Sequence, residues 1–201
     1  MSLLSVFSSS KRSTSEEKFW IWFVKNQEML LNFQKNQSRA FRKLKAAISK
    51  VHPDLTFEFG FEDGDQMEFV ISADGLKDAF PAVESLYSKA PQLPDWKFTK
   101  FRPRREPMAI EFEGVKLSPD DLRVSIGIRD SRADLVVYVG SFERFSEEHL
   151  VQMVFLMLDQ AVGEYDVENK IGQIDVMPLD ESSGQKLIAF EDLPNELDRL
   201  L

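Results

Sequence analysis

The sequence predicts an α+β protein in which helices pack against a mainly antiparallel sheet. Two observations carry this prediction: segments of strictly alternating apolar and polar residues recur along the chain, and amphipathic segments at helical spacing lie between them. After two N-terminal helices, the predicted order is ββαβ, one bridging strand, and ββαβ again. The two similar units cover about residues 55–105 and 122–179, and each has the element order of a ferredoxin-like half.

The composition fits a single α+β domain over residues 14–201 and excludes several kinds of site. The chain has 201 residues, 43% of them hydrophobic, so it is long enough to bury a core, and its 17 phenylalanines predict that much of this core is aromatic. It has no cysteine, which excludes disulfides and thiolate chemistry, and only two histidines, which disfavours a histidine-based metal site. We therefore expect no metal and no cofactor. The lack of cysteine fits a cytoplasmic location.

The charge and hydropathy patterns narrow the range of partners. The chain carries 34 acidic and 25 basic residues, and the net charge of −9 repels phosphate backbones at long range, so we expect no general nucleic-acid binding. No apolar run approaches the roughly 20 residues needed to span a bilayer, so we expect no membrane association. Residues 1–13 do not show a signal-peptide pattern and are interpreted as a disordered tail.

The N-terminal region predicts two helices. Thr14-x-x-Glu17 is a capping-box signature, and the aromatic run Phe19–Val24 that follows is interpreted as helical, although its propensity also allows a strand. A second apolar pattern at helical spacing extends from Ala40 to Val51. It is ended by His52-Pro53, because proline disfavours helical geometry in the residue before it.

In the first ββαβ unit, alternating strands at 55–61 and 67–73 are joined by a predicted hairpin turn at 62–65. An amphipathic helix from Phe80 to Ala90 leads to a return strand that begins at Trp96.

In the second unit, a bridging strand at 108–113 precedes an alternating strand at 122–129, and a hairpin turn at 130–132 leads to a strand at 135–141. The segment Leu150–Val162 is apolar nearly all round and predicts a buried core helix that ends at Gly163. The predictions that remain are a last strand at 171–179, a linker at 182–184 and a closing helix at 193–201.

The alternation of the strands leaves one polar sheet face, and two interpretations of it stay open. A solvated face with cross-strand ion pairs is favoured over an acidic docking surface, because solvated charge needs no further cause. The charged residues assigned to this face are Glu58, Glu68, Glu111, Glu113, Arg123 and Arg129.

Two short segments contain groups that bind anions in other proteins. The turn Ser72–Gly75 leads into a helix, and its backbone N–H groups are able to hold an anion, but turn chemistry favours an ordinary turn and helix cap. Arg102, Arg104 and Arg105 crowd one basic corner. Arginine side chains suit carboxylates or phosphates, and internal pairing with the acidic sheet face is the favoured interpretation.

Asp159 and Glu164 are the carboxylates of greatest interest, because they flank the end of the apolar core helix. A raised pKa there would support acid–base chemistry. No nucleophile with an orienting partner is visible in the sequence, so the chemistry stays undefined.

The chain resembles an uncharacterised bacterial family, a domain of unknown function. The resemblance covers about residues 19–179 and lies in FWIWF at 19–23, ISADG at 71–75, AP at 90–91, Trp96, FRPR at 101–104 and LDQAVGEYDVE at 158–168. Related domains of unknown function are similar to, or joined with, small acidic ferredoxin-like regulators that bind and inhibit a ribonuclease, which is an analogy of fold. If the family shares a pocket, the resemblance implies these binding residues: Trp22, Asn26, Ser72, Asp74, Trp96, Arg102, Arg104, Asp159 and Glu164.

Our first hypothesis is a cytoplasmic, non-enzymatic module that binds a protein partner through an acidic or aromatic surface. The alternative is a small-ligand-binding or hydrolase-like domain with a carboxylate–arginine pocket. Exposed sheet edges and the phenylalanine-rich composition would also permit a homo-oligomer.

Overall fold

The computed structural model of the protein describes residues 13–61 and 66–201. The predicted disordered tail up to residue 12 and the predicted hairpin turn at 62–65 lie outside the described residues. Helices and strands mix along the chain and the sheets are rich in antiparallel pairs, so the predicted α+β class is confirmed.

Two helices, α1 (Ser15–Leu31) and α2 (Gln37–Ile48), form the N-terminal layer. The capping box predicted at Thr14 is confirmed, because Thr14 Oγ1 accepts a hydrogen bond from the Glu17 backbone N–H at 3.3 Å, and the Glu17 carboxylate accepts one from the Thr14 N–H at 3.0 Å. The helical interpretation of Phe19–Val24 is also confirmed. Only one face of that aromatic run is buried, which suits a helix lying on a sheet.

The first sheet contains β1 (Thr56–Phe61), β2 (Met67–Ser72) and β3 (Trp96–Lys100), in that order. The strands β1 and β2 are antiparallel, whereas β3 runs parallel to β2 after a crossover through α3 (Phe80–Ser88). One sheet face carries aromatic side chains that pack against the N-terminal helical layer: Phe69, Trp96 and Phe98 contact α1, and Phe57 and Phe59 contact Phe41 of α2.

The predicted bridging strand is a hairpin of two short strands, β4 (Ile110–Phe112) and β5 (Val115–Leu117). Glu113 and Gly114 between them have φ angles of 50° and 80°, as a tight hairpin turn requires. The prediction missed this turn, because Glu113 is a residue type that rarely adopts positive φ.

The second sheet has the order β8-β7-β6-β9. As in the first sheet, an antiparallel hairpin is followed by a helical crossover to a strand parallel with the second one. Two elements that the sequence did not predict extend this unit: a short helix after Gly163 and a two-residue edge strand. The bounds are β6 (Leu122–Arg129), β7 (Arg132–Val139), α4 (Glu147–Val162), α5 (Glu164–Lys170), β8 (Ile171–Pro178), β9 (Ile188–Ala189) and α6 (Leu193–Leu200).

Each half of the chain has its own hydrophobic cluster. One cluster draws its buried residues from positions 19–101 and the other from positions 117–197. The strands are therefore divided between two main sheets, and contacts outside these clusters must join the halves.

The helix α4 differs from the buried core helix that the sequence predicts. Its inner face is buried against the second sheet, but Phe155 and Leu156 are 40% and 42% exposed. Apolar side chains all round a helix predict full burial only if other elements cover every face, and within the described residues one face of α4 is left open.

The two buried tryptophans of the first half allow a matched test of one hydrogen bond. Both are 3% exposed, but Trp20 Nε1 donates to the Leu86 carbonyl oxygen at 2.8 Å, whereas Trp96 Nε1 has no partner within the described residues. We expect Trp20→Phe to lower the free energy of unfolding by about 1 kcal/mol more than Trp96→Phe, because only the first change removes a buried hydrogen bond. Urea denaturation of both variants measures this difference, and equal losses would contradict it.

Candidate functional site

The turn Ser72–Gly75 closes the first sheet at its contact with the second half. The Ser72 hydroxyl oxygen accepts a hydrogen bond from the Asp74 N–H at 3.0 Å, and Asp74 and Gly75 adopt φ angles of 56° and 75°. This geometry leaves the N–H groups of Ala73 and Gly75 directed away from the sheet ladder, where they need an acceptor.

That acceptor is the carboxylate of Glu164, at the start of α5. Glu164 is fully buried and accepts three backbone hydrogen bonds: from Ala73 at 2.8 Å, from Gly75 at 3.2 Å and from Arg102 at 3.0 Å. A buried carboxylate needs such donors, because desolvation penalises its charge. The anion held by the turn is therefore a side chain of the same chain.

The segment that follows β3 completes the contact between the halves. The Arg102 carbonyl oxygen accepts a hydrogen bond from the Glu164 N–H at 3.0 Å, and the Arg105 N–H donates to the Gln160 carbonyl oxygen at 2.7 Å. Phe101 turns the chain with a φ of 60°, and its ring lies 5.2 Å from that of Tyr165. We call this set of contacts the inter-half interface.

Arg102 lies at the centre of the inter-half interface. Its guanidinium forms ion pairs with Glu58 on β1, with Asp74 at 2.6 Å and with Asp159 on α4 at 3.2 Å. Burial opposes the charge on Arg102, but the hydrogen bonds and charges of Glu58 and Asp74 outweigh burial and raise its pKa above the ordinary value. The guanidinium is thus held by three carboxylates from three elements.

Asp159 is the carboxylate with the unusual titration. Its burial raises the pKa to about 6; the charge of Glu164 also raises it, while the charge of Arg102 lowers it. A raised pKa of the kind that would support acid–base chemistry is therefore present at Asp159, but Asp159 Oδ2 is the atom bound to Arg102.

The other two arginines also bind carboxylates of the chain. Arg104 spans Asp166 at 2.9 Å and Asp198 on α6 at 2.7 Å, and Arg105 binds the fully buried Glu68 at 2.5 Å. The predicted internal pairing with the acidic sheet face is present for Arg102, which binds Glu58, and for Arg105, which binds Glu68, whereas Arg104 binds carboxylates outside that face. The sequence analysis did not identify Asp198 as a partner of Arg104. Asp198 lies on the short helix α6, and no local pattern there indicates which distant residue its side chain contacts.

The prediction that six charged residues form one solvated sheet face is wrong. Its six charged residues belong to three different sheets, and Glu68 is buried under Arg105 instead of facing solvent. Arg129 pairs with Asp134 at 2.9 Å on the second sheet, and Glu111 and Glu113 lie on or beside the β4–β5 hairpin. The polar face of the first sheet thus forms part of the inter-half interface.

The structure brings together six of the nine residues implied by the family resemblance. Ser72, Asp74, Arg102, Arg104, Asp159 and Glu164 lie at the inter-half interface. Trp22 and Asn26 are on α1, where Asn26 Nδ2 donates to the Trp22 carbonyl oxygen at 2.8 Å, and Trp96 is buried in the aromatic cluster.

The inter-half interface is chemically satisfied by its own residues. Glu164 accepts from backbone N–H groups, and Glu58, Glu68, Asp74, Asp159, Asp166 and Asp198 are each paired with Arg102, Arg104 or Arg105. Among the described residues, no group of three or more histidine, aspartate or glutamate side chains is placed to hold a metal ion. In the same part of the chain, no helix combines the length and apolarity needed to cross a bilayer.

Comparison of the chain with models of known protein families gives no match, and comparison with curated proteins gives none. The resemblance to the bacterial family therefore stays a prediction.

A glycine at the inter-half interface offers a test of the close approach between the halves. Gly163 has φ 88° and ψ 137°, and a Cβ atom there would lie 3.3 Å from the backbone N of Arg104 and 3.4 Å from the Arg102 carbonyl oxygen. We expect Gly163→Ala to lower the free energy of unfolding by about 1–3 kcal/mol.

The matched control is Gly184→Ala, where φ is 80° but no atom lies within 4 Å of an added Cβ. Both variants impose unfavourable positive φ, so the additional loss at position 163 reports the contact between the halves. Equal losses in chemical denaturation would contradict the assignment.

The raised pKa of Asp159 makes the stability of the folded protein depend on pH, with a sign that follows from the direction of the shift. In the folded protein its pKa is about 6, against 3.8 ordinarily, so near pH 5 the folded state binds a proton that the unfolded state has released. The contribution of Asp159 to stability is therefore greatest below pH 4 and is lost as the pH rises through 6.

We expect the stability of the wild type relative to Asp159→Asn to fall by up to about 3 kcal/mol between pH 4 and pH 7. Urea denaturation of both proteins at a series of pH values gives this difference. Subtracting the free energy of unfolding of the asparagine variant at each pH cancels the contribution of every other titrating group, because the two proteins share those groups. A difference independent of pH would show that Asp159 titrates normally.

Proposed function

We propose that the protein is a non-enzymatic module that binds a basic protein partner through an acidic apolar surface. This surface lies on the β4–β5 hairpin and the open face of α4. Its apolar members are Met108, Phe112, Phe155 and Leu156, and its acidic members are Glu106, Glu111 and Glu113.

The hairpin is held along α4 by contacts at both ends. Met108 N–H donates to Gln160 Oε1 at 2.9 Å near the C-terminal end of α4, and the Phe112 ring lies 4.4 Å from the ring of His149 near its N-terminal end. Leu156 falls between His149 and Gln160 on the same helical stripe, because residues four and seven apart share one face. The acidic apolar surface is therefore supported by a packed helix and a paired hairpin.

The exposure of its apolar side chains is the observation that carries the proposal. Met108 is 68% exposed and Phe112 44%, and the contacts of their hairpin with His149 and Gln160 place them along the stripe of α4 that contains Leu156. Several large apolar side chains exposed together mark a protein interaction site, since a protein interface needs apolar residues at its centre. Single exposed apolar residues elsewhere on the protein need no such explanation.

The charge around the acidic apolar surface indicates which partner it suits. Glu106, Glu111 and Glu113 are exposed, and residues 106–201 carry 21 acidic against 8 basic residues. Complementary charge speeds association and excludes acidic competitors. A partner with lysine or arginine around an apolar anchor fits this surface.

The inter-half interface supports a structural role for the carboxylates that suggested acid–base chemistry. A general base must reach its substrate, and Asp159 and Glu164 are instead bound to Arg102 and to backbone N–H groups. We further propose that the two halves are related ferredoxin-like units in a cytoplasmic protein, because both sheets contain a hairpin, a helical crossover and a parallel strand.

The proposal predicts that replacing the exposed apolar residues of α4 abolishes binding of one protein partner. We expect a Phe155→Gln, Leu156→Gln variant to lose a protein that the wild type captures from a cell extract. The loss should amount to at least tenfold in affinity, because truncating apolar residues at the centre of an interface costs about 2 kcal/mol or more each. Binding of the identified partner is then measured by calorimetry.

The control variant is Leu76→Gln, Ile128→Gln, which replaces apolar side chains that are 52% and 49% exposed elsewhere. This control should bind the partner as the wild type does, and circular dichroism should show that all three proteins are folded. Equal capture by both variants, or a partner whose binding does not weaken with added salt, would contradict the proposal.

A further inference from the structure

We propose that the outer surface of α1 and α2 binds the phosphate backbone of a double-stranded nucleic acid without reading its sequence. The surface is defined by seven exposed cations, and the site is separate from the acidic apolar surface. The cations of this basic surface are Lys18, Lys25, Lys35, Arg39, Arg42, Lys43 and Lys50.

None of the seven cations forms an ion pair with any residue in the described ranges 13–61 and 66–201. The arginines of the inter-half interface show the opposite behaviour, since each is bound to carboxylates. From Lys18 to Pro53 the only acidic residue is Glu28, so the basic surface has almost no counter-charge along its own helices. Seven solvated cations in one layer attract a polyanion.

Five of the seven cations line the groove between the two helices. Lys35, Arg39 and Lys43 line one end of this groove together with Asn26, Asn32 and a single carboxylate, that of Glu28. Lys18 and Lys50 line its other end. Arg39 and Lys43 are four residues apart on α2, where such a step rises about 6 Å, and Lys35 precedes α2 and lines the same groove, so the cations are spread along the groove instead of forming a single point charge.

The net charge of −9 does not reveal this basic surface, because the positive and negative charges are distributed unequally between the two halves of the chain. Residues 1–105 carry 17 basic and 13 acidic residues, whereas residues 106–201 carry 8 and 21. The expectation that the protein avoids nucleic acid assumed evenly mixed charge. At 0.1 M salt the screening length is about 10 Å, so a ligand on the α1–α2 layer is screened from charges on distant parts of the other half.

The chemistry of the basic surface favours a duplex over other polyanions. No large apolar side chain is exposed between residues 13 and 60, so the surface lacks the apolar centre of a protein interface and the apolar residues that enter a membrane. It also lacks exposed aromatic rings on which unpaired bases stack. Binding by charge alone is strongest on the backbone with the densest phosphates, which is that of a duplex.

The test uses fluorescence anisotropy of a labelled 20-base-pair DNA duplex, a matching RNA duplex and the corresponding single strands, titrated with the full-length protein at 50–200 mM salt. We expect the wild type to bind both duplexes more tightly than the single strands, with an affinity that falls as salt rises. The variant Lys35→Gln, Arg39→Gln, Lys43→Gln should reduce the slope of log affinity against log salt by about 3, which weakens binding at least tenfold at 50 mM salt.

Two matched variants distinguish the effect of where the cations lie from the effect of the total charge of the protein. Lys116→Gln, Arg144→Gln, Lys186→Gln removes three exposed cations from the other half and should bind as the wild type does. Lys35→Arg, Arg39→Lys, Lys43→Arg keeps the charge and should retain binding, which also shows that substitution at these exposed positions leaves the surface folded. The substitutions at positions 35, 39 and 43 lie outside the acidic apolar surface, so their effect on nucleic-acid binding is independent of the protein partner. Lys116 lies opposite Glu111 on the β4–β5 hairpin and serves here only as a control for total charge.

Three outcomes would overturn the proposal. The first is a wild type that does not bind either duplex at 50 mM salt. The second is an equal loss of binding in the Lys116, Arg144, Lys186 variant. The third is tighter binding of polyglutamate than of a duplex, which would assign the basic surface to an acidic protein.

Discussion

The contact between the two halves is centred on the buried carboxylate of Glu164. Three backbone N–H groups of the first half donate to this one side chain of the second half. Without the carboxylate those donors would be buried and unpaired, and without the donors the carboxylate would be a desolvated charge. The turn after β2, the segment after β3 and the start of α5 therefore stabilise one another, and the hydrophobic clusters of the two halves are fixed in one arrangement.

This dependence changes which residues are candidates for function. Arg102, Asp159 and Glu164 are of residue types that often mark active sites, and the pKa of Asp159 is raised by burial, but here the three side chains are held in a contact between the halves. Among residues 13–61 and 66–201, the groups that remain available to other molecules are on the exterior, where Phe155 and Leu156 are uncovered on one half and seven cations form no ion pair on the other. Structural ion-pair networks perturb pKa values as catalytic sites do, so titration alone does not distinguish the two.

The predictions from sequence succeeded where the signal is local. The capping box at Thr14, the helical aromatic run that follows it and the alternating strands all depend on neighbours within a few residues. They failed at the Glu113–Gly114 turn, whose first residue takes a conformation that its type seldom adopts, and at Glu68, whose position in the alternation indicated solvent. Alternation shows that two faces differ, but it does not show whether a polar face is covered by arginine or by water.

The sequence by itself determined the element types, the order of hairpin, helix and strand in each half, and the pairing of the arginine corner with acidic residues, because these follow from periodicity and charge. Only the tertiary structure decided that the anion at the Ser72–Gly75 turn is Glu164, that Asp198 binds Arg104, and that α4 keeps one apolar face open. Glu164 lies 89 residues from Gly75, and Asp198 lies 94 from Arg104. Contacts at such separations arise from the packing of whole elements, and no local pattern in the chain encodes them.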